Sequence, residues 1–153
     1  MKITAIIPAA GKGERFGGKR QLKRLDKRPL LYHTLQPFLR SELISEIVVV
    51  VPLEDVEQVG RELNSAISQK LIRVVGGEET RQKSVNNGLK IADKESELIC
   101  IHDGVRPFVT EALIEKVVKA CIDHDGVMKG FNMDLIQEIS ELMVNSPKMA
   151  QGY

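Results

Sequence analysis

Four short apolar runs, separated by helix-length segments, limit the folds open to this chain more than any other feature. They are Ile3–Ile7, Ile44–Val51, Leu71–Val75 and Leu98–Ile101. The second is β-branched and nearly continuous, without the in–out alternation of a half-exposed strand. That pattern belongs to a strand buried on both faces, as in a parallel sheet. The intervening segments carry helical periodicity. Pro29 suits a first helical position, and Leu30, Leu31, Thr34, Leu35 and Phe38 follow on one face. Asp55–Ile67 places Val56, Val59, Leu63 and Ala66 together, and Arg81–Ala92 buries Val85 and Leu89. Thr110 reads as the N-cap of a helix burying Leu113, Ile114, Val117, Val118 and Cys121. Strand–helix alternation of this kind implies an α/β domain: a mostly parallel sheet, right-handed crossovers and helices on both faces.

Past Val127 the pattern weakens. Leu135, Ile136, Ile139, Leu142 and Met143 suggest a short amphipathic helix ended by Pro147, and no further strand is read there. The division expected is a core over 1–126 and a divergent helical tail over 127–153.

The length of 153 residues fits one domain, and a net charge of +1 gives no global attraction to nucleic acid or membrane. Neither is expected as a partner. No apolar run approaches the ~20 residues of a membrane span, and no N-terminal signal pattern is present, so the cytoplasm is the expected location. Cys100 and Cys121 both sit in apolar runs and read as buried free thiols.

Three polar segments follow strand ends, where open α/β sheets bind ligands, and are expected to converge on one rim. The first, Pro8-Ala9-Ala10-Gly11-Lys12-Gly13-Glu14-Arg15-Phe16-Gly17-Gly18-Lys19-Arg20-Gln21, combines small residues with Arg15, Lys19 and Arg20. Small residues let backbone N–H groups approach phosphates closely, so this loop reads as a nucleoside triphosphate cradle. A dinucleotide fingerprint fails because Phe16 stands where its third glycine belongs, and no Gly-Lys-Ser/Thr of a Walker loop follows. The second segment is Gly76-Gly77-Glu78-Glu79-Thr80-Arg81-Gln82-Lys83-Ser84. Its glycines admit a flat ligand, Ser84 offers a hydrogen bond, and Arg81 orients the loop or caps a carboxylate. The third is His102-Asp103-Gly104-Val105-Arg106-Pro107. Asp103, a carboxylate at a strand end facing phosphates, suits magnesium, whereas Arg106 pins the loop. His102 reads as a core residue and His33 as structural. Asp123-His124-Asp125-Gly126 reads as a helix stop rather than a metal site.

These segments, with Pro29-Leu30-Leu31-Tyr32-His33-Thr34-Leu35 and Arg81-Gln82-Lys83-Ser84-Val85-Asn86-Asn87-Gly88-Leu89, resemble the signature blocks of the 2-C-methyl-D-erythritol 4-phosphate cytidylyltransferase family, in order and over residues 1–126. The resemblance implies a Rossmann-like nucleotidyltransferase fold. It implies transfer of CMP from CTP to 2-C-methyl-D-erythritol 4-phosphate with Mg2+, releasing pyrophosphate, in the methylerythritol phosphate route to isoprenoid precursors. By position, Ala9, Ala10, Gly11, Gly13, Gly77 and Ser84 would hold CTP. Asp103 would serve the metal, and Arg15 with Lys19 or Arg20 would stabilise charge in the transition state. The acceptor phosphate is already anionic near neutral pH, so no general base is required.

The departures are local. The family's Pro-Lys-Gln appears here as Lys19-Arg20-Gln21 after a shortened loop, which puts Arg20 at the catalytic lysine position; guanidinium and ammonium are not equivalent. The turn after Gly77 is one residue longer. The tail beyond Gly126 does not follow the family, whose members supply from there the acceptor's phosphate grip and a dimer-forming arm. Ala150-Gln151 echoes a family block only weakly. A homodimer is what the resemblance implies. Two alternatives stand beside it: a relative acting on another polyol phosphate such as ribitol phosphate, and a shortened CTP-binding remnant that transfers nothing.

Overall fold

A computed structural model describes residues 1–12, 18–66, 70–122, 126–128 and 148–152. Six parallel strands make one sheet. They are β1 (Ile3–Pro8), β4 (Glu46–Val51), β5 (Leu71–Gly76), β6 (Leu98–His102), β7 (Gly126–Met128) and β8 (Lys148–Gly152), in the spatial order β5-β4-β1-β6-β8-β7. Four helices connect or flank them: α1 (Leu30–Arg40), α2 (Val56–Ala66), α3 (Arg81–Ile91) and α4 (Glu111–Ile122).

The sheet buries both faces, as the β-branched runs require. On one face Ile3, Ala5, Ile7, Ile47, Val49 and Val51 meet Leu31, Leu35 and Phe38 of α1, Val59 and Leu63 of α2, and Ile114 and Val118 of α4. On the other, Ile6, Val48, Val50, Ile99 and Ile101 meet Val85 of α3. Residues of β1 and β4 thus alternate between two cores with the strand period of two. A fully buried aromatic such as Phe38 is worth about 3–5 kcal/mol on truncation to alanine.

The amino ends of the central strands are closed by a buried polar cluster. Glu46 is only 3% exposed. Its Oε2 accepts hydrogen bonds from Thr4 Oγ1 and the Asp93 backbone N–H, both at 2.8 Å. Thr4 Oγ1 also pairs with Ser96 Oγ at 2.6 Å. Arg73 Nε lies 2.9 Å from Glu46 Oε1, an ion pair directed away from hydrogen-bond geometry.

Two segments differ from expectation. The stretch between the first strand and the helix expected from Pro29 contains a one-turn 3-10 helix at Arg20–Leu22 and a hairpin of β2 (Arg24–Leu25) with β3 (Arg28–Pro29). Asp26 and Lys27, at φ 49° and 67°, form its left-handed two-residue turn. Neither is glycine, so the usual turn signal is missing. The hairpin is fixed to α1 by a 2.6 Å contact of His33 Nε2 with the Leu25 carbonyl, and by the Arg28 guanidinium 5.0 Å above the Tyr32 ring. His33 therefore has the structural role its place on α1 suggested.

The second difference is at the far end of the chain. Past Val127 the sequence shows no strand pattern, yet β8 lies inside the sheet, pairing Ile99 with Met149 and His102 with Gly152, and β7 pairs beside it. The sheet thus continues beyond the boundary drawn at residue 126. The helix expected over 135–143 and the Asp123–Asp125 stop lie outside the described residues. Two expectations hold among the described residues. Thr110 Oγ1 accepts from Leu113 N at 3.2 Å as the α4 cap, and Cys100 and Cys121 are buried free thiols. Among the described residues no helix is long and apolar enough to cross a membrane.

Candidate functional site

Strand order fixes the place of the site. The chain moves outward from β1 to β4 and β5, then returns to β6 on the other side of β1. The reversal opens a crevice outside the carboxyl ends of β1 and β6, where α/β sheets hold ligands. All three polar segments reach it.

The convergence is tight enough to exclude side chains. A Cβ on Gly77 would stand 2.2 Å from Ala10 Cβ and 2.7 Å from Ser84 Oγ. One on Gly104 would stand 2.6 Å from Ala9 Cβ and 3.3 Å from the Pro8 carbonyl oxygen. Backbone hydrogen bonds hold the three loops to one another and to β4: Ala9 N to Val50 O at 2.6 Å, Gly77 N to Val51 O at 2.7 Å, and Gly104 N to Pro8 O at 3.0 Å. Thr34 of α1 adds a buried bond to the Gly104 carbonyl at 2.9 Å.

Gly11 is different. It is exposed, and among the described residues nothing lies within 4 Å of a Cβ placed there. Its carbonyl accepts from Gln21 Nε2 at 3.0 Å, and Gln21 is 2% exposed. Gln21 therefore ties the two ends of the basic loop together, a role its sequence position did not reveal. Gly13 and Arg15 lie outside the described residues.

Ser84 is buried on the first turn of α3, where its Oγ accepts from Glu78 N at 3.0 Å and lies 3.3 Å from the Glu78 carbonyl. It shapes the 78–84 turn, whose helix is capped by Thr80 Oγ1 accepting from Lys83 N. Asn87 supports the same turn through Nδ2 to the Gly76 carbonyl at 3.1 Å.

Asp103 sits between two guanidinium groups. Arg81 Nε donates to Oδ1 at 2.8 Å and Arg106 Nε to Oδ2 at 3.3 Å. The two readings of Arg81 meet here, since capping the carboxylate also joins the Gly77 loop to the β6 loop. Arg106 pins its own loop, as expected. His102 is a core residue, 2% exposed, with its ring 5.4 Å from that of Phe38 and its Nε2 3.0 Å from the Arg106 carbonyl.

Lys19 is held by acids whose sequence positions do not mark them as its partners. Its Nζ donates to Glu54 Oε1 at 2.8 Å and to Asp55 Oδ2 at 2.6 Å. These hydrogen bonds, led by Asp55, raise the ammonium's affinity for its proton, and the same contact lowers the pKa of Glu54. Arg20 opens the 3-10 turn that follows. Among the described residues no group of three His, Cys, Asp or Glu is arranged to hold a metal by itself.

The family model for IspD, 2-C-methyl-D-erythritol 4-phosphate cytidylyltransferase, matches residues 3–141. A protein named 2-C-methyl-D-erythritol 4-phosphate cytidylyltransferase from Clostridium botulinum (strain Eklund 17B / Type B) is 37% identical over 130 residues, covering 84% of this chain and 58% of that protein. One of the same name from Alkaliphilus metalliredigens (strain QYMF) is 35% identical over 156 residues, covering 98% and 65%. The crystal structure of 4-diphosphocytidyl-2C-methyl-D-erythritol synthase from Anaerococcus prevotii DSM 20548 superposes with a TM-score of 0.71 at 34% identity, covering 86% of this chain and 57% of that one. The chain thus spans about three fifths of the length of these relatives. With its family match over most of its length, and with a parallel α/β sheet like theirs, the chain belongs to the 2-C-methyl-D-erythritol 4-phosphate cytidylyltransferase family.

Proposed function

We propose that this chain binds CTP and transfers CMP to 2-C-methyl-D-erythritol 4-phosphate, releasing pyrophosphate, in the cytoplasm. The observation that carries the reading is the meeting of the Ala9–Gly11, Gly77–Ser84 and Asp103 loops at the switch point of the sheet. In this reading Ala9, Ala10, Gly11, Gly13, Gly77 and Ser84 surround the nucleotide. Gly77 and Ser84 form a narrow floor suited to a flat base, and exposed Gly11 leaves room for phosphate oxygens. An acceptor phosphate oxygen attacks the α-phosphorus in line. The new P–O bond forms as the bond to the bridging oxygen of the β-phosphate breaks, and both electrons leave with pyrophosphate. No proton has to be removed from the nucleophile. The protein's contribution is positioning and fixed positive charge, supplied by Arg15 and by one of the two adjacent cations, Lys19 or Arg20.

Asp103 fits magnesium in part. Its oxygens are hard donors, and each carries one arginine hydrogen bond, which leaves lone-pair capacity. Magnesium usually takes one or two carboxylates and completes its shell with phosphate oxygens and water. Bound there, it would supply charge neutralisation on the phosphates. The family resemblance also supports a homodimer.

The test is pyrophosphate release from CTP and Mg2+, with 2-C-methyl-D-erythritol 4-phosphate or ribitol phosphate as acceptor. Release that requires the first acceptor supports the reading, and preference for the second refutes the acceptor assignment. CTP binding without release from either refutes transfer. Chelation with EDTA should abolish release, and added Mg2+ should restore it. Arg15→Ala should lower turnover by about 100-fold with a small change in CTP binding, in line with loss of one transition-state contact. Unchanged turnover would remove Arg15 from the mechanism.

A further inference from the structure

Lys19 and Arg20 are adjacent cations entering the same turn, yet Lys19 is committed elsewhere. Its ammonium has three N–H donors, and two are taken by Asp55 at 2.6 Å and Glu54 at 2.8 Å. The Asp55 side chain is 13% exposed and that of Lys19 29%, so this is not a solvated surface pair of little worth. Drawing Lys19 away to a phosphate would leave a shielded carboxylate without its cation, which is costly. The contact also joins two separate loops. Lys19 belongs to the basic loop after β1, whereas Glu54 and Asp55 form the turn between β4 and α2. The described ends of the basic loop are therefore tethered twice, by Gln21 to Gly11 and by Lys19 to the β4–α2 turn.

We propose that Lys19 is a positioning residue, a clasp that seats the end of the basic loop through Asp55 and Glu54, and not a group that stabilises charge on the α-phosphate. The assignment rests on the cytidylyltransferase reading, but the clasp does not. It has a second effect on the nucleotide. Lys19 offsets two carboxylates that would otherwise present bare negative charge beside a triphosphate. Removing the lysine alone both loosens the loop and exposes that charge.

The experiment is a double-mutant cycle of Lys19→Ala and Asp55→Asn in the full chain, with Lys19→Arg as the conservative variant. The clasp predicts that each single variant raises KM for CTP about tenfold and leaves kcat within about threefold. The double variant is no worse than either single, because both remove one interaction, and Lys19→Arg recovers most of the KM. A transition-state role for Lys19 predicts the opposite split: kcat falls at least 100-fold in Lys19→Ala with KM little changed, while Asp55→Asn is harmless. That result would overturn the proposal. Urea unfolding of the same four proteins without nucleotide reads the clasp independently of turnover. A coupling of about fivefold in the unfolding equilibrium constant is expected, and additive effects would overturn it. Absence of pyrophosphate release from the wild-type chain, with that coupling intact, would refute the cytidylyltransferase reading but leave the clasp standing.

Discussion

Substituting alanine at Gly77 and, separately, at Gly11 isolates what the glycines of this site do. At Gly77 the new methyl would lie 2.2 Å from Ala10 Cβ, 2.7 Å from Ser84 Oγ and 3.2 Å from Val50 Cγ1. Carbon atoms in contact settle near 3.5–4.0 Å, so Ala10 must retreat by about 1.3 Å. Its Cβ has no rotamer to change, and the retreat therefore moves the loop backbone. Overpacking of this size costs about 1–3 kcal/mol. The loss of unfolded-state freedom on replacing glycine returns about 0.4–1 kcal/mol, leaving a net cost of about 1–2 kcal/mol. For a chain of this length that lowers the melting temperature by about 2–8 °C. A shift near 1 Å in a substrate-holding loop also costs about 100-fold in activity.

Gly11 gives the complementary result. With none of the described residues within 4 Å of its added methyl, Gly11→Ala should melt at or slightly above the wild-type temperature. The methyl occupies the space the reading assigns to phosphate, so CTP affinity should fall at least tenfold. Differential scanning fluorimetry with and without CTP separates the two effects. Wild-type melting of Gly77→Ala would show that the loops do not meet as described. Undiminished CTP binding by Gly11→Ala would falsify the cradle.

Other perturbations test the scaffold. Glu46→Ala strands the hydrogen-bonding groups of Thr4 and Asp93. Because Arg73 is about half exposed and partly screened, the expected loss is about 2–3 kcal/mol in urea unfolding, with CTP affinity unchanged, since the cluster lies at the amino ends of the strands. Burial, with a smaller push from Cys121, raises the Cys100 thiol to about 12. It should react with a disulfide reagent at pH 8 only through unfolding. A folded pKa above the unfolded value of 9.0 means that the unfolded chain loses its proton first, so stability is retained below pH 9 and declines as pH rises toward 12. Between pH 8 and pH 10 the wild type should lose about 1 kcal/mol more than Cys100→Ala, as read from urea midpoints.

Much of the fold was legible because burial on both faces leaves a mark in composition. Val48, Val49, Val50 and Val51 supply two cores from one strand, and no half-exposed strand would be written that way. The rim was legible for a topological reason, since polar glycine-bearing turns after parallel strands must share an edge. The hairpin at Asp26-Lys27 was not, because its left-handed residues carry none of the glycine that such turns favour. Nor was β8. Lys148-Met149-Ala150-Gln151-Gly152 has no strand-like alternation, and its extended form comes from lying between β6 and β7.

Charge pairing was the least legible layer, and the reason is specific. Lys19 has eight carboxylates within fifty residues that would serve equally well by sequence: Glu14, Asp26, Glu42, Glu46, Glu54, Asp55, Glu57 and Glu62. Only strand order chooses among them. Once β4 is placed beside β1, the loops leaving their carboxyl ends become neighbours, and Lys19 faces Asp55. The same adjacency at the amino ends puts Glu46 against Thr4. With β5 on the other side of β4, Arg73 comes within reach of Glu46 as well. With β6 next to β1, Gly104 meets Ala9, and the β6 loop carries Asp103 to Arg81 across the mouth of the site. Each pairing joins elements the sheet has made adjacent or brought to the same rim. What the sequence lacked was therefore the order of the strands, not the chemistry of the side chains. A double-mutant cycle between Lys19 and Asp55 consequently tests the pairing of β1 with β4 and the clasp together, because that pairing is what makes the two loops neighbours.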